Sequence, residues 1–242
     1  MATLGFAFPL LAEENSSLSE EANAGSSLVV AESNGSLDDL ASETNASEQA
    51  GYGEGKAKAY VIPVRDQIGG PILDILRRGL KDAIRAKANT VILDMNTPGG
   101  ELGVTLEIMQ EIIESFERFD GPIITYVNTE AISAGAYIAV ATNEITFAPY
   151  GQIGAAEAVS GGGGNIDSAM KRKVNSYLKA KIRSFAGKHR YRARVMAAMM
   201  DANETLFVEG EQPLTADGFP IQGDEELLTL TAEEAVVKYG EP

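Results

Sequence analysis

Two hydrophobic rhythms alternate along most of this chain. From about Ala57 onward, short runs dense in β-branched residues are followed by stretches in which apolar residues return every three or four positions. That alternation marks an α/β domain of repeated strand-helix units. Ala59-Tyr60-Val61-Ile62-Pro63-Val64 predicts a strand. Behind Gly69-Gly70-Pro71, the recurrence of Ile72, Ile75, Leu76, Leu80, Ala83 and Ile84 predicts an amphipathic helix. Thr90-Val91-Ile92-Leu93-Asp94-Met95 is too short for a helix and predicts a buried strand that ends at the turn Asn96-Thr97-Pro98-Gly99-Gly100. Leu102, Leu106, Met109, Ile112, Ile113 and Phe116 mark one face of a second helix. A strand over 122 to 127, a small-residue helix from Ser133 to Thr142 and a short strand over 145 to 148 complete the first two thirds of the domain.

The four glycines Gly161 to Gly164 predict a loop, since no packed element tolerates such a run. Past it, Asp167 or Ser168 caps a helix reaching about Ala186, and residues 191 to 200 predict another. Leu227-Leu228-Thr229-Leu230 reads as a strand, followed by a Thr231 N-cap and a short helix.

Charge separates the N-terminal part from this domain. Positions 13 to 55 hold ten acidic residues and no Lys or Arg, whereas the remaining 25 acidic and 20 basic residues are interspersed. The tract is rich in Ser, Glu, Ala, Asn and Gly, so it buries too little apolar surface to offset its ordering entropy and is expected to be a disordered acidic tail. Residues 1 to 12, apolar from Leu4 to Ala12 and ending in a small residue, resemble the last part of a secretory signal peptide. Export to the periplasmic or extracytoplasmic face of the membrane is the expectation. About ten apolar residues are too few to span a bilayer as a helix. The chain has no cysteine, which excludes disulfides, thiolate metal sites and a cysteine nucleophile. Nothing in the charge pattern points to nucleic acid.

Two strand-to-turn junctions are suited to chemistry. At Pro98-Gly99-Gly100, glycine lets backbone N–H groups approach a ligand without an intervening Cβ, as half of an oxyanion hole requires. Pro-Gly-Gly also makes ordinary turns. At the second junction, Ser133 opens the helix Ala134-Gly135-Ala136-Tyr137, near unpaired N–H groups and the positive end of the helix dipole. Serine is equally a common N-cap, and Ala/Gly-rich helices often reflect close packing.

Taken together, Asn96-Thr97-Pro98-Gly99-Gly100 and, some thirty residues later, Ser133-Ala134-Gly135-Ala136-Tyr137-Ile138-Ala139 resemble the ClpP-class serine peptidases. More closely, they resemble the NfeD-type, stomatin-associated membrane proteases. The resemblance extends over about residues 57 to 240 and takes in Ala148-Pro149, Ile153-Gly154-Ala155 and Leu230-Thr231-Ala232-Glu233-Glu234-Ala235. It implies a ClpP/crotonase-like fold for residues 56 to 242, with Ser133 as nucleophile and the backbone N–H groups of Gly100 and Ala134 as the oxyanion hole. The single histidine, His189, stands among Lys188, Arg190, Arg192 and Arg194, and reads as a solvated residue on a basic surface. A lysine base is then needed, and a lysine serves only if its surroundings favour the neutral amine. Periodicity leaves Lys171, Lys173, Lys179 and Lys181 open. The family resemblance selects Lys173, with Lys171 the nearest substitute.

The same resemblance implies an endopeptidase acting on apolar segments of membrane-associated, stomatin-like proteins, needing no metal or organic cofactor and working as a homo-oligomer, a dimer. An alternative of the same chemistry is a SppA-like signal peptide peptidase. Alternatives of other classes are a crotonase-type acyl-CoA enzyme and a non-catalytic module of the same fold. The glycine run invites the further expectation of a flap over substrate.

Overall fold

The computed structural model describes residues 27–30, 57–159, 167–187, 189–208, 210–215 and 217–235 of the 242-residue chain. The signal-peptide reading of residues 1 to 12, most of the acidic tract and the glycine run lie outside these residues.

A mixed sheet organises the domain. Its strands are β1 (Ser27–Val30), β2 (Lys58–Arg65), β3 (Thr90–Thr97), β4 (Ile123–Ile132), β5 (Glu144–Phe147), β6 (Gln152–Gly154) and β7 (Thr229–Thr231). The order is β1-β2-β3-β4-β6-β7, with β5 also paired to β4. The pairs among β2, β3, β4, β5 and β6 are parallel, and β1 and β7 close the two ends antiparallel. The acidic tract is therefore not without structure throughout. Its one compact apolar run, Ser27-Leu28-Val29-Val30, pairs with β2 from Ser27↔Val61 to Val30↔Lys58 and covers an otherwise open strand edge.

Period-two burial decides which side of the sheet carries the core. Tyr60, Ile62 and Val64 of β2, Val91, Leu93, Met95 and Thr97 of β3, and Ile123, Thr125 and Val127 of β4 are buried, while their alternate neighbours are half-exposed. The expectation that β3 is buried holds for one face only. On the other face, Asp94 pairs with Arg65 and accepts a hydrogen bond from Asn128 Nδ2 at 3.0 Å.

Helices α1 (Gly70–Arg85), α2 (Leu102–Ser115), α3 (Ala134–Val140), α4 (Ser168–Phe185), α5 (Arg190–Met200) and α6 (Ala232–Ala235) supply the rest. Pro71 sits in the first turn of α1, where its missing N–H costs nothing, and Leu73, Leu76, Leu80 and Ala83 form the buried stripe. Every residue of α3 is buried. Of the two candidate caps for α4 the structure uses Asp167, whose carboxylate accepts from Ala169 N and Met170 N. The Thr231 cap of α6 is reciprocal: its hydroxyl accepts from Glu234 N at 3.3 Å and Glu234 accepts from Thr231 N at 2.8 Å.

Two departures from the pattern reading bear on function. Residues 128 to 132, which read as a connection, continue β4 as far as Ile132, and Gln152–Gly154 forms a strand that apolar alternation did not reveal. Both arise from one pairing, Glu130–Ile132 with Gln152–Gly154. Three residues are too few to show a period, so only a neighbouring strand identifies them.

Candidate active site

Ser133 occupies the single residue between the end of β4 and the start of α3. Its backbone takes φ 53° and ψ −111°, a combination that a residue with a Cβ rarely adopts and that costs of order 1–3 kcal/mol. Hydrogen bonds on both sides hold it there: Ser133 N donates to Gly154 O at 2.9 Å, and Ser133 O accepts from Ala136 N at 3.1 Å. The long β4 and the short β6 thus exist in part to pin this turn. A serine on a sharp, strained strand-to-helix turn presents its hydroxyl outward instead of folding it back as a cap, and Ser133 makes no side-chain cap to α3.

The two glycine motifs are explained by what they meet. A Cβ added to Gly99, at φ +117°, would lie 2.7 Å from Ser133 Cβ and 3.2 Å from Ser133 Oγ. One added to Gly100 would fall 2.1 Å from Ile68 O. Gly135 lets α3 settle onto β3, since a side chain there would strike Thr97 Cγ2 at 2.8 Å. Thr97, fully buried, receives the Gly99 N–H on its hydroxyl at 3.2 Å and donates to Asp66 O, fixing the turn from beneath.

These approaches bring Gly100, Ser133 and Ala134 to the wall of one cleft of about 490 Å³, lined also by Gln67, Glu101, Leu102, Thr105, Tyr137 and residues 156 to 159. Around Gly100 the amides are committed: Gly99 N donates to Thr97 and Glu101 N to Ile68 O at 2.9 Å. Gly100 N and Ala134 N donate to no backbone acceptor among the described residues. Two free donors beside a hydroxyl are what a developing oxyanion needs.

Pattern reading missed two cleft residues. Tyr137, one helical turn after Ser133, is buried and donates its hydroxyl to Ala156 O at 3.1 Å; burial pushes its phenol well above the ordinary value. Its place four residues after Ser133 on a helix was the available signal. Glu157 lines the cleft and pairs with Lys171 at 2.7 Å; it belongs to a stretch with no periodic signal.

The lysines of α4 stand in different states. Lys179 bonds Asp201 at 3.0 Å and Glu204 at 2.8 Å. Burial alone would lower its pKa, but the hydrogen bonds to Glu204 and Asp201 prevail and raise it. Lys181 Nζ lies 5.0 Å above the Phe185 ring. Lys173 is exposed, forms no ion pair or hydrogen bond among the described residues, and is not among the residues lining the cleft. His189 precedes α5, half-buried and edge-on to Tyr191 with ring centroids 6.0 Å apart, so it is less solvated than its basic surroundings imply. It does not line the cleft either. No group of three or more acidic or histidine residues able to hold a metal occurs among the described residues.

Residues 58–242 match the family described as NfeD1b, N-terminal domain. The chain is 36% identical over 187 residues to the membrane protein NfeD1b of Bacillus subtilis (strain 168), covering 77% of this chain and 38% of that one. It is 31% identical over 186 residues to the membrane-bound protease PH1510 of Pyrococcus horikoshii, covering 75% and 35%. The chain thus spans less than two fifths of the length of either relative. Among solved structures, the 1510-N membrane-bound stomatin-specific protease in a serine-to-alanine variant superposes with TM-score 0.56 at 29% identity, over 75% of this chain and 76% of that one. A lysine-to-alanine variant in complex with a substrate peptide gives 0.54 at 27%, over 75% and 72%. The mixed α/β sheet with its strand-helix units is the ClpP-like fold of these neighbours. By sequence over residues 58–242 and by fold, the chain belongs to the family of NfeD1b N-terminal domains.

Proposed function

We propose that this domain is a serine endopeptidase in which Ser133 attacks a peptide carbonyl, Lys173 serves as base, and the amides of Gly100 and Ala134 receive the oxyanion. One observation carries the reading: a strained serine between strand and helix faces a double-glycine turn across a cleft, with uncommitted amides on both sides. The relatives support it, one named a membrane-bound protease and its structural counterpart a stomatin-specific protease.

Support for Lys173 comes from its neighbours. A base needs a free amine, while Lys171 and Lys179 are held by carboxylates and Lys181 makes a contact that depends on its charge. The serine and lysine replaced in the two solved relatives stand 41 positions apart in their chain, against 40 between Ser133 and Lys173 and 38 for Lys171. In the reaction the neutral amine takes the Ser133 proton as the hydroxyl adds to the carbonyl, then passes it to the departing amine, leaving an acyl-enzyme for water to open. Since Lys173 does not line the cleft here, it joins Ser133 as substrate is bound.

The substrate class we assign is an apolar segment of a membrane-associated, stomatin-like protein. The domain acts from the extracytoplasmic face of the membrane and as a homo-oligomer. No described helix is long and apolar enough to cross a membrane. The separation of Lys173 from the cleft also favours a second reading, a peptide-binding module without catalysis. Incubation of the purified domain with an apolar peptide, followed by mass spectrometry, tests both. Cleavage by the wild type and none by Ser133→Ala is expected; equal cleavage by both removes the assignment, and binding without cleavage selects the module.

A further inference from the structure

The cleft wall formed by residues 156 to 159, together with Ala155 that leads into it, is anchored to the core from three directions. Ala155 N donates to Leu228 O at 3.1 Å, Ala156 N to Met199 O at 2.7 Å, and Tyr137 Oη to Ala156 O at 3.1 Å. Glu157 therefore projects from a firmly held backbone. The start of α4 is the opposite case. The buried residues of α4 are Asn175, Leu178 and Ile182, all in its second half or at its middle, whereas residues 168 to 174 are exposed or half-exposed. Among the described residues, the ion pair from Lys171 Nζ to Glu157 Oε1 at 2.7 Å is the only side-chain hydrogen bond or ion pair linking these first two turns to the cleft wall. Lys173 lies on those turns, two residues from Lys171.

We infer that Glu157 is a positioning residue: through Lys171 it ties the first two turns of α4 to the wall of the Ser133 cleft and so sets where Lys173 stands relative to Ser133. This rests on the protease reading for its catalytic consequence, but the tether itself does not. The pair is partly exposed, with Lys171 at 43% and Glu157 at 25%, so its contribution to global stability is small. Its leverage is local, because before half-buried Val174, which packs against the core, it is the one side-chain bond among the described residues that ties that end of the helix to the cleft wall.

The test uses the full chain with Glu157→Gln, Lys171→Gln and the charge exchange Glu157→Lys with Lys171→Glu. Hydrogen exchange should show faster exchange of the amides of residues 171 to 174 in either single variant, with the core strands unchanged, and slower exchange again in the exchanged pair. On a cleaved apolar peptide, kcat should fall roughly five-fold in the single variants with KM little changed, and recover in the exchanged pair. Glu157→Asp should keep part of the rate. Unchanged exchange at the start of α4, or single variants that the charge exchange does not rescue in either readout, overturns the inference. A wild type that binds but cleaves nothing overturns the protease reading, and the exchange data then decide the tether alone.

Discussion

The two halves of the proposed dyad are built in opposite ways. Ser133 sits on a turn clamped by β6, by the backbone of Gly99 and by a helix whose every residue is buried. Lys173 sits on the outward side of a helix whose fully buried residues, Asn175, Leu178 and Ile182, come after it, with half-buried Val174 beside it against the core. The proposed nucleophile is thus preorganised with its strain already met by packing, while the proposed base stands on a polar, largely exposed stretch of helix.

The largest test of this contrast is Ser133→Ala, which should lower peptidase activity by at least about 10³-fold while leaving the unfolding midpoint nearly unchanged. Lys173→Ala should lower it by at least about 10²-fold, also without loss of stability, because an exposed unpaired side chain contributes within about 0.5 kcal/mol. Full activity in that variant, with activity lost in Lys171→Ala, would transfer the base to Lys171.

Packing should distinguish the halves next. Gly100→Ala places a methyl 2.1 Å from Ile68 O and should cost about 2–4 kcal/mol in denaturant unfolding, whereas Gly103→Ala, which meets nothing within 4 Å in α2, should be neutral or slightly stabilising. Ser133→Gly should raise stability by about 1 kcal/mol as it abolishes activity, since glycine adopts positive φ without strain. A loss of stability there would show that the Ser133 side chain supports the turn.

The smallest effect concerns the anchored half of α4. Asp201 is held at about 2, below its ordinary value near 3.8; burial alone would raise it, but hydrogen bonds from Asn203 and Lys179 prevail. Its folded-state value lies below the unfolded one, so its stabilisation is complete above about pH 4 and is lost as pH falls toward about 2. Lys179, raised above its ordinary value near 10.5, contributes below that pH and loses its share in stronger alkali. Asp201→Asn should cost about 1 kcal/mol at neutral pH and flatten the acid limb of a stability-against-pH curve.

Legibility followed contact range. The helices α1, α2 and α4 and the strands β2 and β3 were readable because each repeats its own period over eight or more residues. The short strand β6 and the last five residues of β4 were not, since their pairing partners are some twenty residues away. Ser133, Gly99 and Gly100 could be singled out from motif order, and the reason for those glycines appeared only when the two turns met. For the base, composition left four lysines, and the differences among them come from their partners: carboxylates on other segments for Lys171 and Lys179, and the Phe185 ring one turn along the same helix for Lys181.

What the sequence by itself determined is the alternation of strands and helices, the absence of thiol chemistry and the Thr231 cap. All of these depend on local pattern or composition. A choice between Asp167 and Ser168, and the pairing of the serine with the glycines outside a family resemblance, lay beyond local pattern. Strain at Ser133, the amides of Gly100 and Ala134 left uncommitted among the described residues, the sheet edge closed by Ser27–Val30, and the carboxylate partners of Lys171 and Lys179 beside an exposed Lys173 came into view only in the folded chain. Those properties belong to contacts between segments far apart in the chain, where the approach of one backbone sets the strain, hydrogen bonding and charge of another.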